Sequence, residues 1–222
     1  MNHNDTFLTH VKEHGGDNAA RLGPYASFTL ANDPRHMLFT MARYKFCAKM
    51  LHKYDRIVDF GCGDGNEIPL LLQNVNRVTG VDIIPALISY NRQNNKDLAR
   101  VDYLLHNIIE SPLTEKFDAA ISMDVIEHIA PEDEADFLKN IALSIKEYGA
   151  CIIGTPNITA SEYAGIHSKR EHINLKSHET LYASLHKHFH NVFLFSMNDE
   201  VLHTGFHAMG HYIIALSVCP KR

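Results

Sequence analysis

The chain has 222 residues, 45% of them hydrophobic and 21% charged, which suits one domain with a sizeable core. A formal net charge of -5 and the lack of any Lys/Arg run disfavour nucleic acid, whose phosphates demand a basic patch. No apolar run approaches the roughly 18 to 20 residues that cross a bilayer, and the opening MNHNDTFLTHVKEHGGDNAA has no secretory core, so a cytoplasmic protein without membrane insertion is expected.

Residues 1–32 read as a flexible N-terminal lid and 33–222 as a single domain. Asp33-Pro34 suits a helix start, since Asp can cap free N–H groups and Pro fits the first turn. That helix should run through MLFTMARYKFCAKMLHKY. From Arg56 strands and helices alternate: IVDF as a strand, a helix near Glu67–Gln73, RVTGVD as a second strand, and a helix from Pro85 to about Ala99. VDYLL and FDAAISM read as the third and fourth strands, PEDEADFLKNIALSIKEY as a helix, and ACIIGT as the fifth strand. Ser177 caps a further helix, HETLYASLHKHF, before the final strands VFLFSM and YIIALSV. Such alternation predicts an α/β fold with a mostly parallel sheet covered on both faces, its ligands lying beyond the strands' C-terminal ends.

The segment VDFGCGDGNE follows the first strand and alternates Gly61, Gly63 and Gly65. Glycines there let the backbone turn sharply and approach a ligand where a Cβ would collide. Asp82, at the end of the second strand, lies 21 residues after Gly61 and can accept the ribose hydroxyls of an adenosine-containing cofactor. The spacing G-x-G-x-G differs from the dinucleotide fingerprint, and no G-x-x-x-x-G-K-[ST] is present. Asp59, Asp64 and Glu67 flank the glycines; they would repel a pyrophosphate and suit the cationic S-adenosylmethionine (SAM). A structural turn in some other α/β protein is the alternative.

VDFGCGDGN, then TGVDI, then FDAAISMDVIEHI together resemble the ordered motifs of class I SAM-dependent methyltransferases over residues 55–160. The resemblance implies a Rossmann-like, seven-stranded sheet whose last strand is antiparallel. It implies that the loop with Asp59, Gly61, Cys62 and Gly63 holds the amino acid part of SAM, and that Asp82 holds the ribose. Ile83 would lie against the adenine, Asn107 and Ile108 would face its edge, and Met123 would line the pocket. Asn107 stands where many relatives carry Asp, and its amide oxygen can accept the same bond.

Methyl transfer from a sulfonium is an in-line displacement, and a hydroxyl acceptor must also lose its proton to a base or beside a metal ion. Asp124, Glu127 and His128 share one face of a helical turn at i, i+3, i+4. In one reading His128 is a general base and Glu127 orients it; in the other, Glu127, His128 and a later histidine bind Mg²⁺ or Mn²⁺. VIEHI resembles small-RNA 2′-O-methyltransferases and ubiquinone-biosynthesis O-methyltransferases, some of them metal-dependent. In the RNA enzymes a further ligand histidine follows a T-P-N segment, as His172 follows Thr155-Pro156-Asn157 here, while their Glu is replaced by Asp124. His172 thus joins Glu127 and His128 as a catalytic and metal candidate. His203, His207 and His211 suggest a loop or hairpin over the substrate pocket, Gly205 and Gly210 opposing one continuous helix.

The chain as a whole resembles methyltransferases of bacterial surface-polysaccharide gene clusters. That resemblance implies a small polar acceptor, sugar- or nucleotide-linked, methylated on a hydroxyl or phosphoryl oxygen. An RNA 2′-O-methyltransferase and a non-catalytic SAM-binding module are the rivals.

Overall fold

The computed structural model describes residues 3–16, 21–95 and 98–222. Helices α1 (His3–His14) and α2 (Pro24–Asn32) precede α3 (Pro34–Met50). The repeating units follow: β1 (Arg56–Phe60), α4 (Ile68–Leu71), β2 (Arg77–Asp82), α5 (Pro85–Asn94), β3 (Val101–Leu105) and β4 (Phe117–Met123). Then come α6 (Glu134–Ser144), β5 (Ile145–Pro156), α7 (Ile166–Glu171), α8 (His178–His186), β6 (Phe189–Asn198), β7 (Val201–His203) and β8 (Tyr212–Pro220). The sheet order is β3-β2-β1-β4-β5-β8-β6-β7. β1 to β5 pair in parallel, and β8 runs antiparallel to both β5 and β6.

Among the described residues the sheet has eight strands where seven were expected. The extra one is β7, three residues that fold back on the end of β6 through pairs such as Asn198↔Val201. Asp199, at φ 51°, makes the tight reversal between them. The His203/His207/His211 stretch is that hairpin strand followed by a short 3-10 turn at His207–Met209.

Alternation along the strands decides which side each residue serves. Ile57, Ile121, Ile152 and Ile214 pack on the face holding α3, α4 and α5. Their neighbours Val58, Ala120, Ile153 and Ile213 pack on the other, against Phe137 and Ile141 of α6 and Leu181 of α8. Each fully buried aliphatic of this kind contributes about 1.5–3 kcal/mol. With both faces filled, a ligand finds room only at the sheet's rim.

Two local expectations are corrected. Asp33 sits at the N-cap of α3 but makes no side-chain cap; its carboxylate lies 3.7 Å from the Arg35 guanidinium instead. The helix expected to run on through IKEY stops at Ser144, whose hydroxyl donates to the Asn140 carbonyl and accepts from Leu113 N–H. Ile145 then pairs with Phe117, and β5 takes over. At α8 the Ser177 cap is present, with Thr180 completing a reciprocal capping box.

Candidate active site

Three loops converge at the C-terminal ends of β1, β2 and β4 around a cavity of about 670 Å³. The first is the glycine loop. Gly61 has φ 77°, and a Cβ there would stand 2.3 Å from Val125 Cγ2; Gly65 has φ 68°, and its Cβ would meet the Tyr103 hydroxyl at 2.8 Å. Only glycine satisfies both the conformation and the space. Asn91 holds the loop from α5 by donating to the Gly63 carbonyl at 2.8 Å.

Asp82 connects the second loop to the first. One carboxylate oxygen accepts from Gly63 N–H at 3.0 Å, the other from Ile84 N–H at 2.9 Å. A carboxylate has about four lone-pair sites, so two backbone bonds leave capacity for the two hydroxyls of a ribose. Asp64, on the same loop, accepts from Ala26 N–H at 3.0 Å and so latches α2 over the cavity; Tyr25, Ala26 and Thr29 line it.

Cys62, Gly61, Gly63, Asp82 and Met123 lie on the cavity wall, as does His128. Asp59, Ile83, Asn107 and Ile108 do not. Asp59 points into the interior, accepts from the Tyr44 hydroxyl at 3.0 Å, and leaves its second oxygen without a partner. Burial pushes its pKa up to about 8, so it is a neutral floor beneath the loop. Ile83 is exposed, and Ile84 takes the wall position. Asn107 accepts from Ile109 N–H and donates to Glu110, while Ile108 is buried in the core. Glu67, expected beside the cofactor, lines the cavity, and Leu87 and His36 do so without having been singled out for it. Burial raises Glu67 to about 7. Burial and the charges of Asp59 and Asp82 push the Cys62 thiol far up.

The third loop carries Asp124, Glu127 and His128. Asp124 takes φ 56°, and its carboxylate is gripped by Arg43 at 2.7 and 2.9 Å. The guanidinium in turn stacks 3.7 Å over the Tyr212 ring. Asp124 is therefore committed to a cation of the chain itself. Glu127 is fully buried; one oxygen accepts from the Thr155 hydroxyl at 3.0 Å, and the other has no partner. Burial, and then the charge of Asp124, raise its pKa. The Glu127 carbonyl accepts from Ile173 and Asn174 N–H groups, which draws the segment after α7 against the loop.

That tie brings His172 to His128, with ring centroids 5.0 Å apart. His128 Nδ1 lies 3.1 Å from the Glu171 carbonyl, which can only accept. Nδ1 must then carry the proton, and Nε2 keeps its lone pair. Burial, followed by the nearby His128, lowers the pKa of His172. Ligand atoms of Glu127, His128 and His172 all come within 4.8 Å of one another. An unpartnered carboxylate oxygen and two imidazoles suit a divalent cation in one geometric cluster.

A mostly parallel α/β sheet with an acid-lined cavity at its rim narrows the class. Residues 58–153 match the family model described as "Methyltransferase domain", and this match together with the relatives and solved structures supports a class I SAM-dependent methyltransferase. Among curated proteins the chain is similar to "Ubiquinone biosynthesis O-methyltransferase" of Rickettsia akari (strain Hartford), at 34% identity over 113 residues, 49% of this chain and 43% of the relative. The protein of that name from Rickettsia conorii (strain ATCC VR-613 / Malish 7) is 32% identical over 133 residues, 58% of this chain and 44% of the relative. The chain thus spans less than half the length of these curated relatives.

Among solved structures, the N-methyltransferase NodS from Bradyrhizobium japonicum WM9 in complex with S-adenosyl-L-homocysteine gives a TM-score of 0.63 at 14% identity, over 97% of this chain and 99% of that one. The methyltransferase domain of bacterial-CtHen1-C gives 0.69 at 18% identity, over 82% and 100%. At these identities the likeness is one of fold. Among the described residues, no helix is long and apolar enough to cross a membrane.

Proposed function

We propose that this protein is a cytoplasmic SAM-dependent O-methyltransferase acting on a small polar acceptor, with Glu127, His128 and His172 holding a divalent ion. The observation that carries the metal is the buried, unpartnered Glu127 oxygen beside two imidazoles. Leaving a carboxylate oxygen desolvated costs about 1–3 kcal/mol or more, which a cation would offset. Asp124, held by Arg43, is no ligand in this scheme, so the site has three protein ligands. The chemistry such an ion supplies is Lewis-acid activation of a hydroxyl. Mg²⁺ and Mn²⁺ are the candidates.

SAM supplies a methyl group on a sulfonium. The residues around it divide the labour. Gly61, Cys62 and Gly63 form the floor for its amino acid part, and Asp82 has acceptor capacity left for the ribose. Asp64 and Glu67 suit its cationic groups. Ile84 and Leu87 offer an apolar wall for the adenine. The Glu171 carbonyl holds the His128 ring in the tautomer that frees Nε2, so this one lone pair would hold the ion, and in a metal-free site it would instead take the acceptor's proton. Helix α2, latched to Asp64, acts as the lid of the N-terminal segment and excludes water.

The acceptor is read as sugar- or nucleotide-linked, as in surface-polysaccharide assembly, from the resemblance along the whole chain. Four free cysteines fit the reducing cytoplasm. The test is calorimetric titration of the full, chelator-treated chain with S-adenosylhomocysteine and with Mn²⁺. One equivalent of each should bind, and His172→Ala should lose the Mn²⁺ alone. Binding of S-adenosylhomocysteine without Mn²⁺ overturns the metal and leaves His128 as an unaided base. No binding of S-adenosylhomocysteine overturns the function.

A further inference from the structure

Behind the two imidazoles lies a second cavity, of about 220 Å³, that no motif accounts for. Its wall is drawn from distant segments: Pro156 at the end of β5, Ala160, Tyr163 and Ala164 beyond it, Leu175 before α8, and His211 before β8. His36 lines both cavities. His172 lines the second, while its ring neighbour His128 lines the first. The imidazole pair therefore forms the partition between the two spaces.

The two walls differ in charge. Asp64, Glu67, Asp82, Asp124 and Glu171 face the first cavity. Among the described residues, no Asp, Glu, Lys or Arg faces the second; its polar groups are hydroxyls, an amide and imidazoles. A charged ligand group moved into such a place would lose water without gaining a counter-charge. The side chain of Asn157 is already committed, donating to the His207 and Gly210 carbonyls. Ser161 and Ser168 bring hydroxyls. Tyr163 and His211 place two rings 5.8 Å apart on the wall, a surface that matches the face of a ligand ring.

Size points the same way: at about 220 Å³ the second cavity is about a third of the first, at about 670 Å³, which favours a single ring over a whole nucleotide.

We infer that this second cavity seats the ring bearing the methylated oxygen, and that the ring is uncharged and hydroxylated. The inference rests on the O-methyltransferase reading and sharpens it. The oxygen points past His36 and His172 toward His128, and any phosphoryl linker stays outside. A phosphoryl oxygen is then excluded as the methylated atom. Two kinds of ring share this chemistry, a dihydroxybenzene and an unphosphorylated sugar.

The test uses the full chain saturated with S-adenosylhomocysteine and titrated with catechol, with methyl glucoside and with glucose 6-phosphate. At least one uncharged ring should bind at least about tenfold more tightly than the phosphate, and the tighter of the two names the ring. Ala164→Phe, which fills the cavity, should weaken that ring by about tenfold or more, with S-adenosylhomocysteine affinity within about twofold of wild type. Ala160→Leu is a milder filling variant should Ala164→Phe misfold, and the same loss is expected. Binding of the phosphate alone, binding of none of the three, or a ring affinity untouched by both variants overturns the inference. A chain that binds no S-adenosylhomocysteine overturns the parent reading, and this one with it.

Discussion

The proposed donor side and the proposed acceptor side of this molecule are built on different principles. On the donor side, β1, β2 and β4 each end in a loop that delivers one piece of the cavity: Gly61–Gly65, Asp82–Ile84 and Asp124–His128. Much of that wall is backbone, and its charges are acids. On the acceptor side the wall is assembled from side chains at positions 36, 156–175 and 211, joined by hydrogen bonds such as those from Asn157 to the His207 and Gly210 carbonyls. A ligand shared by many proteins can be met by a local motif. A ligand particular to one protein is met by parts brought together only in the fold.

The comparison breaks most visibly at the partition. His128→Ala and Glu127→Gln should each lower kcat for methyl transfer to the ring that binds by about 10²- to 10⁴-fold. S-adenosylhomocysteine affinity should stay near wild type, as read by calorimetry. If donor affinity fell in step with turnover, the two sides would be one unit and the division would be wrong.

A smaller effect is expected at Asp82, which holds two backbone N–H groups of the donor loops. Hydrogen bonds to a charged group contribute about 1.5–3 kcal/mol, so Asp82→Ala should weaken S-adenosylhomocysteine by about 10- to 100-fold. Mn²⁺ binding should be unchanged in the same titration. Loss of the ion would show that the donor loops also shape the metal cluster.

The smallest effect concerns stability. Asp59 is protonated in the folded chain, with its pKa up to about 8, and ionises at ordinary carboxylate values when unfolded. A raised folded pKa means stability that is full below the unfolded value and lost as pH rises toward the folded one. Thermal denaturation of the apo protein should therefore show a Tm that falls between about pH 4 and pH 8. Asp59→Asn, which cannot ionise, should flatten that slope and gain about 1–3 kcal/mol near pH 8. An equal slope in both proteins would place the pH sensitivity elsewhere, with the buried Glu127 the next candidate.

What could be read from the residues follows the same division. The strand–loop units carried their own signals, because glycine at Gly61 and Gly65 and acid at Asp82 answer to constraints only a few residues away. The grouping of Glu127 with His172 was legible only through resemblance. What produces it, the Glu127 carbonyl gripping the amides of Ile173 and Asn174, is a backbone contact without a sequence signature. Asp124 was grouped with Glu127 and His128 by helical spacing. Its positive φ and the Arg43 guanidinium, 81 positions away, turn it to a separate task. Strand β7 escaped because three residues are too few for a period of two to show. His211 was expected near the substrate pocket, but the second cavity itself escaped because Pro156 and Tyr163 are unremarkable until β5 and β8 pair.

The Cys62 thiol has a consequence for the safety of the reaction. It lines the space that would hold an alkylating reagent, within reach of the donor loop. The nucleophilic form of cysteine is the thiolate, and burial beside Asp59 and Asp82 keeps this sulfur protonated. A soft nucleophile in that position would otherwise compete with the acceptor and methylate the enzyme itself. Suppressing ionisation at one atom lets the catalyst carry sulfur in its own wall without suicide inactivation.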